Sequence, residues 1–231
     1  MANKTWREFL PYFMEEVGGC PRPTAERIVK RVLIHFLENS LILEKEANKI
    51  YMTENEGQYD ISFSVDKYRP IAIVRARWGE YPDDIPEGNF LDISHWDEMD
   101  SVYGQQWDME TTSNLPSTVI LNFDNTLQVY PIPTESSDDE LNLRCAVTLL
   151  QSSTSVDEFI FENFVEDIAK GCLAELLKQP GKTWTDRDIA LDYERDYWDG
   201  IRAARKQSTG GKGETSGRVR PRSFIFHGHA Q

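Results

Sequence analysis

The sequence predicts an α+β fold, in which a bundle of N- and C-terminal helices carries an inserted antiparallel β-domain and an extended C-terminal arm. Apolar residues recur at helical spacing near both ends of the 231-residue chain. Between residues 59 and 150 the spacing changes to about two, which is typical of strands. A Gly/Ser-rich stretch then separates the last helix from a basic and aromatic end.

Residues 1–49 predict the two N-terminal helices of the bundle. Thr5 and Glu8 form a capping box before the first helix, which Gly18-Gly19 ends. The second helix starts after Pro23 with Thr24 as its N-cap. The apolar face of the first helix comprises Trp6, Phe9, Leu10, Phe13, Met14 and Val17, and that of the second comprises Ile28, Val32 and Phe36.

Residues 50–155 predict the inserted β-domain. Asp124-Asn125 and Glu135–Asp139 are its predicted turns. A long acidic loop spans 82–106, and within this connection Leu91–Tyr103 predicts a short helix. Five segments read as strands: 59–65, 71–78, 118–123, 126–133 and 141–150.

Residues 156–206 predict the C-terminal helices of the bundle. The third helix runs from Asp157 to about Gln179, and the fourth opens at Thr185. Between them, Pro180-Gly181 stops one helix, and Thr183 or Thr185 starts the next. Residues 207–231 are predicted to be a flexible linker (Gln207–Gly217) and an extended arm.

Composition limits the classes of function. The net charge is −14, although residues 202–231 carry seven Lys/Arg and one Glu. Such an acidic body repels nucleic acid, which argues against a dedicated DNA-binding domain. The longest aliphatic run, Ile71–Val74, is far too short to span a membrane, and the first residues contain no apolar signal-peptide core. Three scattered cysteines suit a reducing cytosol rather than a disulfide framework or a zinc site.

Residue patterns that suggest catalysis are better explained structurally. Gly181-Lys182-Thr183 resembles the end of a P-loop, but Leu176 stands where that motif needs a glycine. Pro82-Asp83 resembles the opening of a nuclease motif, but no Asp/Glu-x-Lys follows it. The three acidic clusters are read as solvated surfaces or a helix start; they are Asp97/Glu98/Asp100, Asp138/Asp139/Glu140 and Asp186/Asp188/Asp192.

No catalytic, cofactor-binding or metal site is therefore predicted, and we expect no enzymatic activity. His227 and His229 are two ligands at a chain end, which is weak evidence for a metal. No serine or cysteine has a nucleophile-elbow pattern. Trp78, Trp96 and Trp107 leave two interpretations open, an exposed interface or local packing.

An ordered set of segments resembles the head–tail connector (adaptor) proteins of tailed bacteriophages. The C-terminal half contains GCLAELLKQPGKTWTDRDIALDYERDYWDGIRAARKQ followed by RVRPRSFI. Upstream are Gly57–Ile61, Trp78-Gly79, a Leu-Asp-Ile segment with Trp96, and LQVYPIP at 127–133. The resemblance runs from about Trp6 to Ile225, and its strongest parts are GK-x-W-x-D and the RVRPRSFI ending.

The resemblance implies a virion component of the neck that is assembled in the host cytoplasm. Such a protein forms a ring, typically of twelve copies, below the portal protein and joins the capsid to the tail or nozzle protein. Genomic DNA passes through its lumen without specific binding, and an acidic wall suits that passage. No membrane, cofactor or metal is implied. The acidic loop at 82–106 departs from the pattern, so its tail-side role stays open.

Other functions also fit the residues. A nucleic-acid-binding regulator or enzyme would use the basic C-terminal tail, and a tail-completion or minor capsid protein would have a different neighbour. For the connector, we expect an arm that docks on the portal or on the adjacent subunit. Pro221 favours an extended conformation before it. The predicted docking residues are Arg218, Arg220, Pro221, Arg222, Phe224, Ile225 and Phe226.

Overall fold

The fold is mixed α+β with antiparallel sheets, as predicted. The computed structural model describes residues 3–79, 90–104, 107, 112–113, 116–136 and 140–210. Within these residues lie one N-terminal 3₁₀ helix (Trp6–Tyr12) and four α-helices. The α-helices are α1 (Arg22–Ser40), α2 (Trp96–Tyr103), α3 (Glu158–Leu177) and α4 (Arg187–Gly210).

The N-terminal helix is shorter and tighter than predicted. It is a 3₁₀ helix that ends at Tyr12, with Pro11 inside it. Because Pro11 has no N–H to donate to an α-helical bond, a regular α-helix cannot continue through it. The capping box between Thr5 and Glu8 is confirmed, and the predicted apolar face is largely buried, with Phe9, Phe13 and Val17 at its centre.

The second helix begins two residues before its predicted cap. Pro21, rather than Thr24, occupies the N-cap position of α1, and the Thr24 N–H donates to the Pro21 carbonyl. Pro23 therefore lies in the first turn, where its missing N–H costs nothing. The start of α3 is confirmed, with Asp157 as its N-cap. The short helix within Leu91–Tyr103 is confirmed as α2.

Three helices pack against one another. α1 contacts both α3 and α4, and α3 lies along α4. Phe36 of α1 reaches both neighbours, with ring centroids 5.3 Å from Phe164 and 6.2 Å from Tyr197. The Tyr197 hydroxyl donates to the Val32 carbonyl at 2.9 Å, which satisfies this phenol in the core.

Twelve strands are present in the described residues. They are β1 (Asn3–Thr5), β2 (Glu44–Glu46), β3 (Ile50–Tyr51), β4 (Gln58–Asp60), β5 (Tyr68–Trp78), β6 (Asp92–Ile93), β7 (Thr112–Ser113), β8 (Thr118–Leu121), β9 (Thr126–Tyr130), β10 (Ile132–Pro133), β11 (Glu140–Leu149) and β12 (Ser155–Asp157). β11 pairs antiparallel with β5 on one side and with β2 and β3 on the other. β8 and β9 form a hairpin, extended by β4 and β6.

Two predicted strands differ from the observed ones. The strand predicted at 59–65 is the three-residue β4, which ends at Asp60. The strand predicted at 126–133 is divided into β9 and β10, because Pro131 has no N–H for a ladder hydrogen bond. The turn at Asp124-Asn125 is confirmed, with Asn125 in the left-handed region at φ 69°.

The three long helices (α1, α3 and α4) and the sheet that contains β11 share one hydrophobic core. A single cluster of buried side chains includes Leu33 and Phe36 of α1, Leu173 of α3, and Leu143 and Val147 of β11. β2 lies before residue 50, within the range 1–49 that the sequence assigns to helices. The division at 1–49, 50–155, 156–206 and 207–231 stays a prediction.

Candidate interaction surfaces

The seven predicted arm residues, Arg218 to Phe226, lie outside the described residues, as do His227 and His229. The structure does describe the end of the helix that precedes them. α4 continues to Gly210, so Gln207–Gly210 is helical and not part of a linker as predicted. Tertiary contacts explain the extension: the Ser208 hydroxyl donates to the Ser40 carbonyl at 3.1 Å, and Arg205 Nη1 donates to the Asn39 carbonyl at 3.1 Å.

These two hydrogen bonds attach the end of α4 to the end of α1. Since α1 lies in the core, the departure point of the C-terminal segment is fixed relative to the body of the protein.

The β8–β9 turn presents a fully exposed aromatic ring. Phe123 has 103% relative exposure. The turn beneath it is well bonded: the Asn125 N–H donates to the Asn122 carbonyl at 3.0 Å, and Asp124 Oδ1 accepts from the Thr126 N–H at 3.0 Å. A single exposed apolar side chain is common on protein surfaces, so the significance of Phe123 depends on the apolar residues around it.

A groove lies between β5 and this turn. It has a volume of about 670 Å³ and is lined by Ile71, Ile73, Ile93, Leu121 and Phe123, among others. Ile93 and Phe123 are exposed, so the apolar lining reaches the surface. At one end of the groove Glu38 of α1 accepts from Arg69 Nη2 at 2.6 Å.

One exposed acidic side chain lies in the turn that borders the groove. Asp124 is exposed between the lining residues Phe123 and Asn125, whereas the lining residues Glu38 and Arg69 are paired with each other. Hydrogen bonds from the Thr126 hydroxyl and N–H hold the pKa of Asp124 below its usual range, so this carboxylate stays charged well below neutral pH. The groove therefore suits an apolar segment, with Asp124 as the acidic group at its border.

Two tryptophans near this region are packed inside the fold rather than exposed on its surface. Trp78 and Trp107 are 6% and 2% exposed. Trp107 lies 4.8 Å from Trp96 between ring centroids, and its Nε1 donates to Asp100 Oδ1 at 2.9 Å. Trp96 Nε1 donates to Asn122 Oδ1 at 2.8 Å, which ties α2 to the β8–β9 turn. Local packing is thus the correct interpretation for Trp78 and Trp107.

A buried carboxylate links the N-terminal strand to the sheet. Asp157 is 2% exposed, and Lys67 Nζ donates to its Oδ1 at 2.8 Å. Lys45 pairs with the other oxygen, and the Tyr68 hydroxyl donates to Oδ1. Burial disfavours the charged carboxylate, but these hydrogen bonds outweigh burial and hold the pKa of Asp157 below its usual range.

The cysteines are poorly suited to nucleophilic chemistry. Cys20, Cys145 and Cys172 are free and buried. Burial raises the pKa of all three thiols, that of Cys145 to about 12, so they are protonated at neutral pH. No group of three His, Cys, Asp or Glu in the described part of the chain could hold a metal ion.

Residues of the P-loop-like stretch and of the acidic cluster at the start of α4 form hydrogen bonds within the fold. Gly181 adopts a left-handed φ of 72° in the α3–α4 turn, where Thr185 donates to the Gln179 carbonyl. Asp186 Oδ1 accepts from the Ile189 N–H at 3.2 Å, so Asp186, and neither Thr183 nor Thr185, caps α4.

The acidic clusters are also partly bonded, although Asp138 and Asp139 lie outside the described residues. Glu98 accepts from the Ser94 hydroxyl at 2.9 Å, and Glu140 pairs with Lys49 at 2.5 Å.

Sequence reasoning missed the groove and the buried Asp157 cluster. The pair of Lys67 and Tyr68 at the start of β5 carries no periodic signal, and its partner lies some ninety residues away. The sequence pattern places Phe123 at the end of the strand predicted at 118–123, and its position next to the Asp124-Asn125 turn is the one sequence signal of the exposed ring.

None of the helices in the described ranges has the length and apolar character needed to cross a membrane. Compared with models of known protein families and with curated proteins, the chain matches none.

Proposed function

We propose that this protein is a structural adaptor of a tailed-phage virion. A ring of copies, twelve in the arrangement that the resemblance implies, sits below the portal, joins the capsid to a tail or nozzle protein, and surrounds the DNA channel. The helical bundle forms the framework, the β-domain is its insertion, and the C-terminal arm is the attachment device. The protein works by binding rather than by catalysis.

The observation that carries the proposal is the attachment of α4 to α1 through Arg205 and Ser208. A segment with three arginines and three large apolar residues follows this fixed point after residues 211–217. Seven Gly-rich residues span about 15 Å as a random coil and about 25 Å when extended. That reach is enough to cross to a neighbouring subunit or to the portal.

The chemistry of the arm supports a docking role. Burying Phe224, Ile225 and Phe226 would contribute roughly 1.5–3 kcal/mol each before the cost of ordering. The arginines would pair with carboxylates on the partner and set the register. Repeated around a ring, a weak contact becomes firm through effective concentration.

The charge of the body supports passage of DNA. The net charge is −14 even with the basic C-terminal end included. A wall of this sign does not retain the phosphate backbone, because binding needs Lys or Arg to displace counterions.

Attachment to the portal is the decisive test. Purified protein mixed with its cognate portal is expected to form a large complex by light scattering and a ring below the portal by electron microscopy. A chain ending at Gly217 is expected to keep its circular dichroism and melting temperature but to lose stable attachment. Full attachment of that shortened chain would refute the arm, and a lasting monomer with the portal would refute the adaptor.

Each alternative to the adaptor function predicts a different experimental result. Salt-dependent binding to random DNA would favour a nucleic-acid regulator or enzyme that uses the basic tail. Turnover of ATP, or cleavage of DNA with magnesium, that disappears in a variant of an acidic cluster would favour an enzyme. Rings that bind a tail protein but not the portal would favour a tail-completion protein.

A further inference from the structure

We propose that, in the free protein, the groove between β5 and the β8–β9 turn binds the segment Arg218–Phe226 of the same chain. This goes beyond the adaptor role and does not depend on it, because it concerns the protein without any partner. It assigns both a binding surface and its occupant.

The groove and the occupant are complementary in apolar character. Ile71, Ile93 and Phe123 line the groove, and Phe123 is exposed on a turn that its own hydrogen bonds hold in place. In an extended segment, alternate side chains share a face, so Phe224 and Phe226 would enter the groove together.

One exposed acid beside the groove matches the charge of the segment. Asp124 is exposed in the turn next to Phe123, whereas Glu38 in the groove lining is already paired with Arg69. The segment carries Arg218, Arg220 and Arg222 and no acid. Because opposite charges favour one register over others, the arginines would be placed toward the end of the groove at Asp124.

The chain length allows the contact within one molecule. The end of α4 is bonded to Ser40, and the groove residue Glu38 lies two positions earlier on α1, about 3 Å along the helix axis. Residues 211–217 reach up to about 25 Å when extended. Because the groove lies close to the tether, the effective concentration of the segment at the groove is on the order of millimolar.

β5 offers backbone partners along the same groove. Phe90 pairs with Arg77, and the Leu91 N–H donates to the Ala76 carbonyl, both near the C-terminal end of the strand. Among the described strands, only β11 pairs with Arg69–Val74, and it occupies the opposite edge. The outer edge there is available to an extended segment, although Pro70 and the irregular register limit the pairing to a few bonds.

Disulfide trapping tests this proposal on the full chain. The three native cysteines are buried, so two introduced exposed thiols can be followed separately. His95→Cys places one thiol at the groove, where the native side chain makes no capping bond, and Arg222→Cys places the other in the segment, on the face that an extended chain shares with Phe224 and Phe226. The matched control pairs Arg222→Cys with Asp188→Cys at the far end of α4, about 30 Å away along the helix.

We expect an intrachain disulfide to form at least tenfold faster in the groove pair than in the control pair, at a rate independent of protein concentration. Ala72→Cys with Arg222→Cys is a second groove pair in case the first is poorly folded. Adding Phe123→Ser to the groove pair should lower its rate of disulfide formation toward that of the control pair. Equal rates in groove and control pairs would overturn the proposal, as would a rate proportional to concentration, which would indicate docking on a second copy. Because no portal is present, these outcomes leave the adaptor function to its own test.

Discussion

At the scale of single residues, Asp157 has the most demanding environment in the described chain. Asp157 occupies the N-cap position of α3, but its buried carboxylate makes no capping hydrogen bond to the helix. Lys45, Lys67 and Tyr68 supply its hydrogen bonds instead. β1 pairs with β12 immediately beside it. A buried charge of this kind is tolerated only while every partner is in place.

We expect Asp157→Asn to lower the free energy of unfolding by about 3 kcal/mol, because two lysines then lose their anion. The folded-state pKa of Asp157 lies below its unfolded value of about 4, so the contribution is present above pH 4 and is lost as the pH falls through the folded-state value. Urea titrations between pH 7 and pH 3 measure both effects, and the variant should show a weaker acid dependence.

The control for this prediction is Asp192→Asn. Asp192 pairs with Arg195 at 3.1 Å, but both side chains are about 70% exposed, so the loss should stay within about 0.5 kcal/mol. If Asp157→Asn were as stable as this control at pH 7, the buried pairing would not be stabilising.

At the scale of elements, the close approach of α3 to α1 and α4 depends on a glycine. A Cβ at Gly171 would lie 2.6 Å from Val32 Cγ1 and 2.7 Å from Tyr197 Cδ2. Both neighbours are buried, and the Tyr197 hydroxyl is bonded to α1. Neither can move away without disturbing the packing of all three helices.

Gly171→Ala should therefore destabilise the protein by about 1–3 kcal/mol, even though alanine is the better helix former. Gly18→Ala is the matched control, since no atom lies within 4 Å of its added Cβ. Thermal unfolding followed by circular dichroism compares the two. A stable Gly171→Ala variant would mean that the helices pack less closely than described.

Sequence patterns predicted elements well where the signal was local. The apolar stripe of α3 and its start near Asp157 are both predicted from the sequence, as is the β8–β9 turn. The patterns predicted elements less well where a single residue, or a contact between distant residues, changed the structure expected from the spacing of apolar residues. Pro11 converts the first helix to a 3₁₀ helix, and the bonds from Arg205 and Ser208 to the end of α1 accompany the extension of α4 to Gly210.

At the scale of the whole molecule, net charge should govern association. Bodies of charge −14 repel one another at low ionic strength, so self-assembly without a partner should be weak. Sedimentation velocity at 20 mM and 500 mM NaCl checks this, and the apparent association constant should rise with salt as repulsion is screened. Association that weakens with salt would instead indicate attractive ion pairs between copies.

Local sequence patterns predict the α+β class, the approximate positions of the three long helices and the main strands, and the basic aromatic character of the C-terminal end. These features depend on periodicity, capping residues and composition, which can be recognised within short stretches of sequence. Contacts in the folded chain were needed to find that the long helices and the β11 sheet share one core, that Asp157 pairs with Lys45 and Lys67, and that Phe123 lines a groove near the end of α4. Each of these joins residues far apart in the chain, and their proximity comes from packing rather than from any local preference.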